Sequence, residues 1–256
     1  MIYLKEINFE DRKEEYLFIK RLPEDENGFL NPYYYESEDS FYKVIIPRLI
    51  NYSNGINLPP LKVPETYFFL WDDNKIVGLF KIRHYLNDNL KVSGGNLSYG
   101  ILKEYRNMGY ATTGLKLAIQ KCREIIREDD IHMSLHKNNY YSLKVMLNCG
   151  AYVYSETENE YLTKIKLFDK IDIDSNKFNN IDEFYSYVES ILNINMGHNL
   201  DALNDVLSSN SYHIVWLNTN KAKNDLGSYY DRIIKVLRDN KVKLDLIEVI
   251  EWFLVE

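Results

Sequence analysis

Between Thr66 and about Lys166 the apolar residues of this chain switch repeatedly from a two-residue period to a helical one, and after Leu167 the alternation starts again. A chain patterned in this way builds sheets covered by helices, and builds them twice. Thr66–Trp71 (TYFFLW) is β-branched and aromatic. The turn Asp72-Asp73-Asn74-Lys75 separates it from a second strand-like run, Ile76–Leu86, so the pair reads as a hairpin. Gly94-Gly95 breaks the chain before a short strand, Asn96–Ile101. Leu115, Ala118, Ile119, Cys122 and Ile126 then recur at helical spacing within Tyr110–Ile126. Ile131–His136 alternates as a half-buried strand, and Tyr140–Asn148 reads as a helix stopped by Gly150. Tyr152–Tyr154 and Tyr161–Leu167 flank a polar turn as a closing hairpin. Upstream, Glu10–Leu22 and Ser40–Ile50 read as helices, with Pro47 kinking or ending the second.

After Leu167 the reading is strand (Phe168–Ile173), two helices, strand (Tyr212–Leu217), helix (Ser228–Asn240) and a strand-like end (Leu244–Val255). Asn180 with Asp182 and Glu183 marks the first helix start; the second covers about His198–Leu207. Charge divides at the same place. Residues 168–256 hold 15 acidic and 9 basic side chains, a balance of −6 out of −7 for all 256 residues. A small acidic domain, 168–256, is therefore expected after a larger, nearly neutral one, 1–167, and the length suits two domains of ~150 residues at most.

The balance excludes several classes. A pI near 5.4 argues against direct nucleic-acid binding through a broad basic face. No apolar run approaches the ~20 residues that span a bilayer, and the first residues lack the apolar stretch of a signal peptide. Cys122 and Cys149 have no metal-ligand neighbours at usable spacing and read as reduced thiols. A soluble, cytoplasmic protein without a metal or a membrane partner is expected.

The most informative local signal is Arg106-Asn-Met-Gly-Tyr-Ala111, between a strand and a helix. Glycine at 109 and a small residue at 111 let backbone approach a ligand, and the first-turn N–H groups of a helix favour an anion such as a pyrophosphate. Strand, R-x-x-G-x-A, long helix, strand, then Asn139-Tyr-Tyr-Ser142 opening a further helix resembles the GNAT superfamily of acyl-CoA N-acetyltransferases. Ile82–Asn87, Gly94-Gly95 and Tyr99–Arg106 carry a wider likeness to predicted acetyltransferases, and the resemblance covers about residues 60–167. It implies a mixed, largely antiparallel sheet flanked by helices in an α/β (α+β) fold. It implies acetyl-CoA as co-substrate, with Arg106, Met108, Gly109, Tyr110, Ala111, Thr112 and Asn139 around it, and an amine acceptor. The chain departs from that pattern at two positions: Asn96 stands where a glutamate is usual, and Met146 where a tyrosine is usual. His84, Tyr99 and His136 are the candidate catalytic replacements.

Gly197–Leu207 (GHNLDALNDVL) closely resembles the segment that characterises barstar, an intracellular ribonuclease inhibitor, and the element order and length agree. The resemblance implies a three-stranded parallel sheet with helices. It also implies a partner, a small basic protein such as a ribonuclease, engaged by Asp201, Asp205 and Asp231. Asp201 and Asp205 are four apart and share a helix face. Asn195, Met196 and Asn204 replace aromatics that usually anchor such interfaces, so the cognate partner need not be barnase. Two functions follow: an acetyltransferase with an appended protein-binding domain, or a toxin inhibitor whose first domain is a degenerate CoA-binding scaffold.

Overall fold

The computed structural model describes residues 1–249 of the chain and divides it into two compact units, Met1–Leu167 and a second from Phe168 onward. The first unit begins with β1 (Ile2–Glu6) and α1 (Arg12–Arg21), then a miniature hairpin of β2 (Asp25–Glu26) and β3 (Phe29–Leu30). Asn27 and Gly28 both have positive φ, 54° and 84°, as the tight turn of such a hairpin requires. A short α2 (Glu38–Ser40) runs through a π-helical turn, Phe41–Ile45, into α3 (Ile46–Ser53). Pro47 therefore does not end the helix: it lies in the first turn of α3, where its missing N–H is tolerated.

The expected hairpin is β4 (Glu65–Asp72) with β5 (Lys75–Arg83), followed by α4 (Asp88–Val92) and β6 (Leu97–Ile101). These strands form an antiparallel sheet in the order β1-β4-β5-β6. One face carries Tyr67, Phe69, Trp71 and Leu79, packed with Phe18 and Ile19 of α1 and with Ile46 and Leu49 of α3. The other face receives α5 (Tyr110–Ile125). A Cβ on Gly114 would come within 2.4 Å of the Phe80 ring, so only glycine lets this helix lie so close to the sheet. β7 (Asp130–His136), α6 (Tyr140–Asn148), β8 (Tyr152–Glu156) and β9 (Glu160–Lys166) complete the unit, with a second antiparallel sheet in the order β7-β9-β8. A lone bridge between Gly95 and Met133 joins the two sheets just before β6.

The second unit is a parallel sheet in the order β10-β11-β12, built from Asp169–Asp174, Tyr212–Leu217 and Lys243–Ile247. Helices α7 (Ile181–Leu192), α8 (Leu200–Ser209), α9 (Thr219–Leu226) and α10 (Ser228–Asp239) cover it. Its core centres on Trp216, which stacks on Phe184 at 5.6 Å and donates to Ser175 Oγ at 2.9 Å. Two helices, not one, join the last two strands. The expected final strand is shorter than Leu244–Val255, and the part of that stretch from residue 250 lies outside the described residues.

Candidate functional site

The loop Arg106–Ala111 leads from β6 into α5, and Gly109 is the residue that precedes the helix. Its φ of 85° is in the left-handed region, no side chain caps the helix, and a Cβ built there would meet nothing within 4 Å. The first-turn N–H groups thus lack a capping side-chain oxygen, and the space beside Gly109 is open. Met108 is exposed, while Tyr110 turns back and donates to Asp72 Oδ2 at 2.6 Å. Ala111 and Thr112 continue the first turn, half-buried.

Arg106 is engaged within the protein. Its guanidinium grips both carboxylate oxygens of Glu26 on β2, Nη1 to Oε1 at 2.7 Å, and its Nε donates to the Ile101 carbonyl at 3.0 Å. The pair holds Glu26 below the usual carboxylate range and Arg106 above its own. The arginine therefore braces the loop against the β2–β3 hairpin. Glu26 was not among the sequence candidates; the Asn27-Gly28 turn signal could have located its hairpin.

Asn96 is fully buried and joins three elements. It donates to Glu128 Oε2 at 3.0 Å and accepts from the His132 amide at 3.0 Å, while its carbonyl accepts from the Arg83 amide at 2.7 Å. Met146 is also buried and accepts from Thr163. Both side chains are thus buried and bonded to neighbours within the domain.

Of the three candidate replacements, Tyr99 is the one joined to the start of α6. Its hydroxyl is 2.9 Å from Ser142 Oγ, and burial pushes its phenol up to about 12. Ser142 is itself positioned by Asn139, whose side chain caps α6 by accepting from the Ser142 amide at 3.2 Å. His84 lies elsewhere, past the end of β5, with Nε2 2.8 Å from Thr66 Oγ1. Burial and then the Arg127 charge hold it below its ordinary value. His136 ends β7, exposed, with its ring against Gly28 of the small hairpin. The structure does not bring the three together into one cluster.

In the second unit Asp201 and Asp205 of α8 and Asp231 of α10 are all exposed, while Leu203 and Leu207 pin α8 to the core. Asn204 accepts from Asn240 at 2.9 Å and so ties α8 to the end of α10.

Residues 35–152 match the family model described as the acetyltransferase (GNAT) domain, and residues 168–255 match barstar, the barnase inhibitor. The chain carries a GNAT acetyltransferase domain followed by a barstar domain. Among solved structures, a GNAT-family acetyltransferase from Streptococcus pneumoniae is similar at 16% identity, covering 65% of this chain and 99% of that one, with a TM-score of 0.46. The ribosomal-protein-S5-alanine acetyltransferase from Vibrio fischeri is similar at 16% identity over 66% of this chain and 94% of that one, with a TM-score of 0.48. No curated protein matches the chain. Among the described residues of the two domains, no helix is long and apolar enough to cross a membrane, and no cluster of His, Cys, Asp or Glu could hold a metal ion.

Proposed function

We propose that the GNAT domain transfers an acetyl group from acetyl-CoA to an amine, and that the barstar domain binds a small basic protein, a ribonuclease being the best fit. The observation that carries the first part is the start of α5. A left-handed glycine, an uncapped helix end and open space above it fit the pyrophosphate of the co-substrate, which would accept from the amides of residues 108–112. Arg106, committed to Glu26, fixes the shape of that loop, and Asn139 fixes the start of α6. When bound, acetyl-CoA supplies the thioester that the amine attacks. Tyr99 holds its proton throughout the neutral range and therefore suits the role of acid, and no side chain here is assigned the role of base. We assign Tyr99 the first role ahead of His136. Two free thiols, one buried, support a cytoplasmic location.

For the barstar domain, three exposed carboxylates on two helices tied to each other fit a cationic cleft, with an acidic balance that steers a basic partner. Calorimetry with acetyl-CoA, then thiol release over a panel of amines, tests the transferase. The buried Asn96 and Met146 favour one other reading, a CoA-binding scaffold without turnover beside an inhibitor domain. Acetyl-CoA binding with no thiol release over the whole panel would select it.

A further inference from the structure

The GNAT domain contains a cleft of about 250 Å³ that none of the candidate site residues above lines, on the face of the first sheet covered by α1 and α3. We propose that this cleft binds a free amino acid as the acceptor, taking its carboxylate as well as its amine. Sites for drug-sized ligands run from ~300 to 1,000 Å³, so this one suits a single small molecule.

Its floor is a charge pair: Arg83 Nε lies 3.0 Å from Glu65 Oε1, both side chains largely shielded. The same guanidinium donates from Nη1 to the Gly95 carbonyl at 2.9 Å. Gly95 is the residue that bridges to Met133, so the floor reaches the place where the two sheets part. Tyr33, Tyr52 and Leu49 give the cleft an apolar wall. Lys62 stands at the rim with its ammonium 5.5 Å from the Tyr52 ring, and Arg48 lies over the Tyr33 ring at 6.0 Å.

The charges decide the ligand class. Glu65 is the one carboxylate lining the cleft, whereas Arg83 and Lys62 line it as cations. Buried Lys81 adds another positive charge behind Glu65, on the same face of β5 as Arg83. A polyamine would meet an excess of like charge. An amino acid would not: its ammonium is matched by Glu65, its carboxylate by Lys62 and Arg83, and its side chain by the tyrosine wall. Acetylation of its amine would then occur next to the gap between the sheets. The inference rests on the transferase reading for that reaction, but the binding does not.

The test is calorimetry on the full chain without acetyl-CoA, comparing L-tyrosine, L-phenylalanine and L-leucine with tyramine, phenethylamine and isopentylamine, and with spermidine. At least one amino acid should bind tenfold or more tightly than its decarboxylated partner, with spermidine weaker still. Lys62→Glu, an exposed change, should lower that affinity at least tenfold, while the melting temperature and acetyl-CoA affinity stay unchanged. Amines binding as tightly as amino acids, no amino acid binding, or indifference to Lys62→Glu would each overturn the proposal. If amino acids bind as described and acetyl-CoA does not, the cleft stands and the transferase reading fails.

Discussion

The Tyr99 hydroxyl lies 2.9 Å from Ser142 Oγ and so joins β6 to the first turn of α6, the helix that follows β7. The ring is fixed from its other side by stacking on Phe80, at 5.4 Å between centroids. Burial raises the phenol to about 12, so it keeps its proton wherever the enzyme would be assayed. Position and protonation together suit it to the proposed role of donor to a departing thiolate.

Tyr99→Phe keeps the stack and removes only the O–H. Loss of one hydrogen bond should cost about 1 kcal/mol of stability. Loss of a general acid should lower kcat by about 10²–10⁴-fold, with KM for acetyl-CoA nearly unchanged. Steady-state kinetics checks this, and an unaltered kcat removes Tyr99 from the reaction.

Glu15 on α1 gives the fold a pH dependence of its own. It is fully buried; Oε1 accepts from the Asn8 amide at 3.1 Å and Oε2 has no partner. Desolvation raises its pKa to about 8. Because the folded value exceeds the unfolded one, stability is fully present below about pH 4.5 and is lost as pH rises toward 8. At ~1.4 kcal/mol per pH unit, the loss between pH 5 and pH 8 is about 2–4 kcal/mol. Glu15→Gln should therefore raise the melting temperature at pH 8 and have little effect at pH 5. A difference between the two proteins that does not change with pH would contradict this.

Asp205→Ala should weaken capture of a basic partner about thirtyfold or more, since truncating a carboxylate buried against cations costs ~2–5 kcal/mol. Glu189, which looks in sequence like an exposed acid suited to a control, is not one. It accepts from the Met196 amide at 2.6 Å and lies 3.4 Å from His198. Asp239, exposed near the end of α10, serves instead. A pull-down from the native host with the full chain should lose its basic protein with Asp205→Ala and keep it with Asp239→Ala. Equal recovery by all three baits would reduce the acidic face to solvated surface.

Much of this was legible in the sequence because its signals were local. TYFFLW before Asp72-Asp73-Asn74 specifies a buried strand and a turn, and Asp73 takes the positive φ that such a turn needs. Helix α9 was missed because TNKAKNDL is polar, and only Ala222 and Leu226 of its residues are buried. β1 was missed because five mixed residues show no clear period until β4 pairs with them. Site geometry was less legible still. That Asn96 would be consumed by Glu128 and His132, or Arg106 by Glu26, depends on partners 32 to 80 residues away in sequence, which no local pattern encodes. The charge pair of Glu65 and Arg83 likewise exists only through the register of β4 on β5.

The most direct measurement is titration of the full chain and of Gly109→Glu with acetyl-CoA. At 109 the backbone is left-handed and the space above it open. A glutamate there adds strain of order 1 kcal/mol, which a folded domain tolerates, and sets bulk and a negative charge where the pyrophosphate is proposed to lie. The account predicts one acetyl-CoA per wild-type chain, and for the variant no measurable binding with the fold retained by circular dichroism. Equal affinity in the two proteins, or no binding by the wild type, would contradict it.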